Sequence, residues 1–138
     1  MIEFVLAACL YVTIPTPVEM TEYRECRETN YMVYFVKDWL PTIERYFKDE
    51  DVIRAAKVIY CESSGRPTVI GVNKDGTHDV GLWQFNDNTW SWLKQKLSII
   101  GKRTNPEVAT RYAAWLVYND GWHHWNSSKH CWKGNYDV

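Results

Sequence analysis

From Val52 to Ser63 apolar residues recur every three or four positions, with Val52, Ile53, Ala55, Ala56, Ile59 and Tyr60 along the stretch, and that period predicts a helix. Asp51 reads as its N-cap, and Gly65 with Pro67 as its stop. Between Thr68 and Asn86 the period shortens. β-Branched and aromatic residues there are broken by Asp75-Gly76, which predicts a small antiparallel hairpin sheet. Upstream, residues 30–39 and 41–47 predict two helical pieces parted or kinked at Pro41, with Tyr34, Phe35, Trp39, Ile43 and Phe47 on buried faces. Downstream, Asn88 or Thr89 caps a helix that carries Trp92, Leu93, Lys96, Leu97 and Ile100 and ends at Gly101. Asn105-Pro106-Glu107 combines a cap, a first-turn proline and a dipole-matched acid, opening a last major helix to about Tyr118. Helices with one hairpin inserted among them predict an α+β, two-lobed domain with a cleft between the lobes.

The apolar run from Ile2 to Ile14 is too short to span a bilayer. Residues 13–21, with Pro15 and Pro17, read as an extended linker, so the chain divides into a hydrophobic segment and linker (1–22) and one domain (23–138). Glu3 stands where a secretory leader would carry positive charge. An uncleaved anchor, or a contact with a membrane or another protein chain, is therefore favoured over a signal peptide.

Sixteen basic and 17 acidic side chains leave a formal charge of -1, which supplies no field to draw in nucleic acid. Aromatic residues make up 15% of the chain, more than its core needs, and flat apolar faces beside hydrogen-bonding groups suit sugar rings. The four cysteines, Cys9, Cys26, Cys61 and Cys131, permit three full pairings and match no common zinc spacing, so disulfides are favoured over zinc, with buried free thiols in a reducing cytosol the alternative that counts alone leave open. A Cys61–Cys131 bridge would tie the Glu62 helix to the Trp-rich tail.

Glu62 and Asp79 lie seventeen positions apart on elements of different type, able to form opposite walls of a cleft. A helix C-terminus disfavours negative charge and raises a carboxyl's pKa, as a proton donor near neutrality requires. Two carboxyls in contrasting surroundings are what glycoside cleavage needs. A solvated helix-end Glu and a turn-bound Asp are the ordinary alternatives. Gln84 and Asn86 alternate with Trp83 and Phe85, which on a strand puts the amides on one face and the rings on the other. The histidines His123, His124 and His130 among Trp122, Trp125 and Trp132 invite a metal reading, set aside because adjacent histidines point apart. Neither metal nor cofactor is expected. Lys94, Lys96, Lys102 and Arg103 read as a solvated helix face rather than a polymer-binding patch.

From Glu62 to Trp132 the chain resembles the lysozyme-like superfamily. Residues Asn73 to Asn86 are similar to the c-type lysozyme hairpin, N-x-D-G-S/T-x-D-x-G-I/L-x-Q-I/F-N, whose Glu-to-Asp interval is also kept. Glu62-Ser63 followed by Gly81-Leu82-Trp83-Gln84 resembles the E-S and G-L-x-Q motifs of lytic transglycosylases and goose-type lysozymes. Val117-Tyr118-Asn119-Asp120-Gly121 resembles their A-Y-N-A-G motif. Cys61-Glu62-Ser63-Ser64-Gly65 with the late Cys131 resembles the resuscitation-promoting factors, where cysteines so placed are bridged. The resemblance implies Glu62 as general acid and Asp79 as second carboxylate. It further implies Ser63, Gln84, Asn86, Tyr118 and Asn119 as substrate-lining residues, with Tyr118 facing the acid. The N-terminal third matches none of these families, and the eight-cysteine framework of animal c-type lysozymes is missing.

The resulting expectation is a muramidase that cleaves the β-1,4 bond between N-acetylmuramic acid and N-acetylglucosamine in peptidoglycan glycan strands. A lytic transglycosylase using Glu62 alone, and a non-catalytic wall-binding or structural protein, are the alternatives. The location expected is extracellular or virion-associated, as for a phage lysin.

Overall fold

The computed structural model describes residues 16–134 together with Cys9; the apolar run 2–14 otherwise lies outside the described residues. Helix α1 spans Pro17–Phe35, α2 Leu40–Tyr46 and α3 Val52–Ser63. Strands β1 (Ile70–Val72), β2 (His78–Val80) and β3 (Phe85–Asn86) follow. Then come α4 (Asp87–Leu97), α5 (Pro106–Asp120), a 3-10 segment (Trp122–Ser128) and the short α6 (Lys129–Trp132). The result is a mostly helical α+β fold with one small sheet, of the lysozyme-like kind. Among the described residues no helix is long and apolar enough to cross a membrane.

Helix α3 is the hub, packing against α1, α2 and α6. Val52, Ala55, Ala56, Val58 and Ile59 are all fully buried, and the two alanines leave room for neighbouring helices to approach closely. Asp51 is not its side-chain cap. It ends a 3-10 turn, and its carboxylate accepts a hydrogen bond from the Tyr118 hydroxyl at 2.7 Å. Ser64, in the left-handed conformation, closes the helix with its N–H on the Tyr60 carbonyl.

The stretch read as an extended linker is partly helix. Pro17 occupies the first turn of α1, where its missing N–H is harmless, and Thr16 and Glu19 form a reciprocal capping box ahead of it. This helix buries Val33, and Val36 just past its end, rather than the expected Tyr34 and Phe35, which are more than half exposed. Phe35 instead meets the Tyr60 ring edge-on at 5.4 Å.

The three strands form one antiparallel sheet in the order β1-β2-β3, Asp79 pairing with Gly71 on one side and Asn86 on the other. The predicted Asp75-Gly76 turn links β1 and β2. Between β2 and β3 the chain dips inward, burying Leu82 and Trp83 completely, and this dip moors the sheet to the helical body. Gly81 makes the dip possible. Its φ is +88°, and a Cβ there would run into the Arg103 carbonyl oxygen. Gly81→Ala is therefore expected to lose at least about 2 kcal/mol through backbone strain and overpacking, measurable by urea unfolding.

Asn86, not Asn88 or Thr89, caps α4, and that helix stops at Leu97 with Ser98 left-handed, before Gly101. Helix α5 opens as expected, with the Asn105 side chain accepting from the N–H groups of Glu107 and Val108. Cys61 is bonded to Cys131, joining α3 to α6, and Cys9 to Cys26. In the loop-entropy account a closed loop of 70 residues stabilises the fold by about 4 kcal/mol.

Candidate active site

Glu62 sits one residue from the end of α3, and the end of that helix is firmly held. The Ser63 hydroxyl donates to the Ile59 carbonyl at 3.0 Å and accepts from the Gly65 N–H at 3.2 Å. The Trp39 indole donates to the Gly65 carbonyl at 2.7 Å. Ser63 is 2% exposed, so its side chain fixes the helix end behind Glu62.

The Glu62 carboxyl is half-buried, and its Oε1 accepts a hydrogen bond from the Ser128 hydroxyl at 2.7 Å. Burial pushes this carboxyl above its ordinary range, the Ser128 hydroxyl pulls it partly back, and the negative charge of Asp79 adds to the rise. The sheet thus brings Asp79 near enough for its charge to be felt at Glu62. Asp79 is itself steadied by Asn86, whose amide nitrogen donates to its Oδ1 at 2.9 Å and lies 3.0 Å from the Thr77 hydroxyl. The other end of that amide accepts from the Asn88 N–H at 3.0 Å. One side chain therefore caps α4 and orients the second carboxylate.

Of the remaining sequence-predicted residues, Gln84 holds hairpin backbone beside Gly71, the strand partner of Asp79, and Tyr118 and Asn119 lie elsewhere. Gln84 has a positive φ of 49° and belongs to the turn before β3 rather than to a strand. Its amide nitrogen donates to the carbonyls of Val69 and Gly81 at 3.1 and 3.0 Å, closing the base of the hairpin. Tyr118 does not face Glu62. Its hydroxyl donates to Asp51 and accepts from the Lys48 N–H at 2.8 Å, beyond the N-terminal end of α3. The eleven residues from Asp51 to Glu62 put it roughly 16 Å along the helix from the acid. Burial, with the nearby Asp51 carboxylate, carries this phenol up to about 12. Asn119 donates to the Trp115 carbonyl at 2.8 Å on the same exposed end of α5. Arg103, read as a solvated cation, instead pairs with Asp87 at 2.9 Å and donates to the Phe85 carbonyl, bracing β3.

Ser128 is the residue that sequence reasoning missed. A signal for it was present in the cysteines. Cys61 adjoins Glu62, so a bridge to Cys131 draws the residue one helical turn before Cys131 toward the acid. Its single hydroxyl proton faces two acceptors, Glu62 Oε1 and the Trp125 carbonyl at 3.2 Å. While Glu62 is ionised, Ser128 can donate to it. Once Glu62 holds a proton, the carboxyl can donate to Ser128, which then turns its own proton to Trp125. Ser128→Ala is expected to raise the Glu62 carboxyl further, so the alkaline limb of a pH–activity profile moves to higher pH.

Glu62 on the end of α3 and Asp79 on β2 stand close enough for the charge of one to raise the carboxyl of the other, on a mostly helical α+β fold of the lysozyme-like kind. The family model for the transglycosylase SLT domain matches residues 43–125, more than half of the chain, and the chain belongs to that family. It is thus an enzyme of the lytic transglycosylase and lysozyme-like class that degrades peptidoglycan. No curated protein and no solved structure gives a match. The match runs from α2 to the 3-10 segment, leaving α1, Ser128 and Cys131 outside it.

Proposed function

We propose that the chain is a muramidase that hydrolyses the β-1,4 bond between N-acetylmuramic acid and N-acetylglucosamine. Glu62 is the general acid and Asp79 the second carboxylate. The observation that carries this reading is the Glu62 carboxyl, pushed upward by burial and by the charge of Asp79. A carboxyl so shifted holds its proton to higher pH than a free one, as a donor to the glycosidic oxygen must. Asp79, oriented by Asn86, stabilises or captures the oxocarbenium-like sugar on its other face. Glu62, now ionised, then takes a proton from the incoming water.

Asp79→Asn tests the pairing. The neutral amide keeps the shape and removes the charge, so hydrolysis is expected to fall by about 10²-fold or more with the fold intact. Turnover close to that of the parent enzyme would remove Asp79 from the mechanism. A second reading, favoured by the family match, is a lytic transglycosylase in which Glu62 serves as acid and then as base. There the hydroxyl of the cleaved sugar attacks in place of water and leaves a 1,6-anhydro end. Two disulfides fit an oxidising surrounding, consistent with work outside the cytosol or on a virion.

A further inference from the structure

Asp120, His123 and His124 converge at the junction where α5 ends and the 3-10 segment begins. The His124 Nε2 lies 2.6 Å and the His123 Nε2 3.2 Å from the same oxygen, Asp120 Oδ2. All three ligand atoms fall within 4.8 Å of one another. The two imidazoles do not point apart. Gly121, at φ +99°, ends α5 and starts the tighter turn, which brings positions three and four beyond Asp120 back to its side. The ring centroids stand 4.3 Å apart with planes 30° from parallel. Sequence alone hides this, because the argument from adjacent histidines assumes a regular backbone through Gly121.

We propose that Asp120, His123 and His124 form a binding site for a divalent transition-metal ion of the zinc type, apart from Glu62 and Asp79. Two neutral imidazoles and one carboxylate suit such an ion, and zinc sites with three protein ligands leave a fourth position for water. Ligands held about 2.0–2.1 Å from zinc at tetrahedral angles stand roughly 3.3 Å from one another. The His123–Asp120 separation already has that value, and the His124–Asp120 pair needs only to open by a fraction of an ångström. The site also faces solvent. The Asp120 and His123 side chains are 47% and 55% exposed, so an ion can enter and keep its water, while His124, 21% exposed, gives the site a fixed wall against Trp125. The C-terminal carbonyls of α5 add negative potential at the same place. A bound ion would staple the end of α5 to the segment bearing Trp125 and Ser128.

Isothermal titration of the full chain with zinc chloride, against Asp120→Ala, His124→Ala and the control His130→Ala, tests the assignment. His130 lies outside the cluster. The expected result is one equivalent bound by the parent and by the control, at least tenfold weaker in both cluster variants, with circular dichroism showing all four proteins folded. Imidazole NMR signals of His123 and His124 should shift on zinc addition in the parent. Absence of zinc binding by the parent up to millimolar concentration would overturn the proposal. So would binding that survives both Asp120→Ala and His124→Ala unchanged, since the ion would then sit elsewhere.

Discussion

Peptidoglycan turnover by Glu62→Gln is expected to fall by about 10²–10⁴-fold, the range a positioned general acid supplies, while the fold survives. The amide fills the same volume and can still meet Ser128, but it has no proton to give. The same substitution should report on stability with a definite sign. Burial raises Glu62 above its ordinary value of 4.5 in the folded chain, so the folded state binds this proton more tightly than the unfolded one. The resulting stability is fully present below pH 4.5 and is lost as pH rises through the folded-state value. Thermal unfolding midpoints measured across that window should decline in the parent and decline less in Glu62→Gln, so the gap between them moves in favour of the variant. A gap that stays constant with pH would mean that the carboxyl is not held in its protonated form by the fold.

Trp83→Ala is expected to destabilise the protein by about 3–5 kcal/mol, the largest loss for any single side chain in the core. Trp83 is fully buried, stacks on Phe47 with centroids 5.5 Å apart, and packs against Trp125 at 5.3 Å. Its indole N–H donates to the buried Thr110 hydroxyl at 3.1 Å, so truncation opens a cavity and strands a polar group as well. Trp83→Phe keeps one aromatic ring but removes three ring atoms as well as the hydrogen bond, and a smaller loss of about 1–3 kcal/mol is expected from it. Urea unfolding of both variants measures how the loss grows with the volume removed. Because this side chain moors the sheet, Trp83→Ala should also lower turnover by loosening Asp79 relative to Glu62, whereas Trp83→Phe should leave turnover close to the parent.

Much of this arrangement was legible in the sequence because its signals are local. The apolar period of α3, the Asp75-Gly76 turn and the Asn105-Pro106-Glu107 opening of α5 each act within a few residues, and the structure follows them. The start of α1 was obscured by Pro15 and Pro17. Proline marks both linkers and first helical turns, and only the Thr16–Glu19 pairing separates the two. Tyr34 and Phe35 were misplaced because four apolar residues in a row, Val33 to Val36, leave the buried face undetermined, and the structure buries Val33 and Val36, three positions apart. Among the site candidates, the motifs pointed to Glu62, Asp79 and Asn86, which the structure brings into one neighbourhood. The position of Tyr118 depends on where α5 crosses α3, and the contact of Ser128 depends on a bridge across 70 residues; neither is a property of neighbouring residues. Gln84 shows the opposite error: alternation with aromatic rings looked like a strand, but a positive φ makes it a turn residue that holds backbone.

The claim on which the account rests is that Glu62 and Asp79 together deliver water to a cleaved glycan. Digestion of purified peptidoglycan in ¹⁸O-labelled water, followed by mass spectrometry of the released fragments, measures that directly. The account predicts muramic acid reducing ends carrying one labelled oxygen. Unlabelled 1,6-anhydro ends would contradict it and assign the chemistry to Glu62 alone.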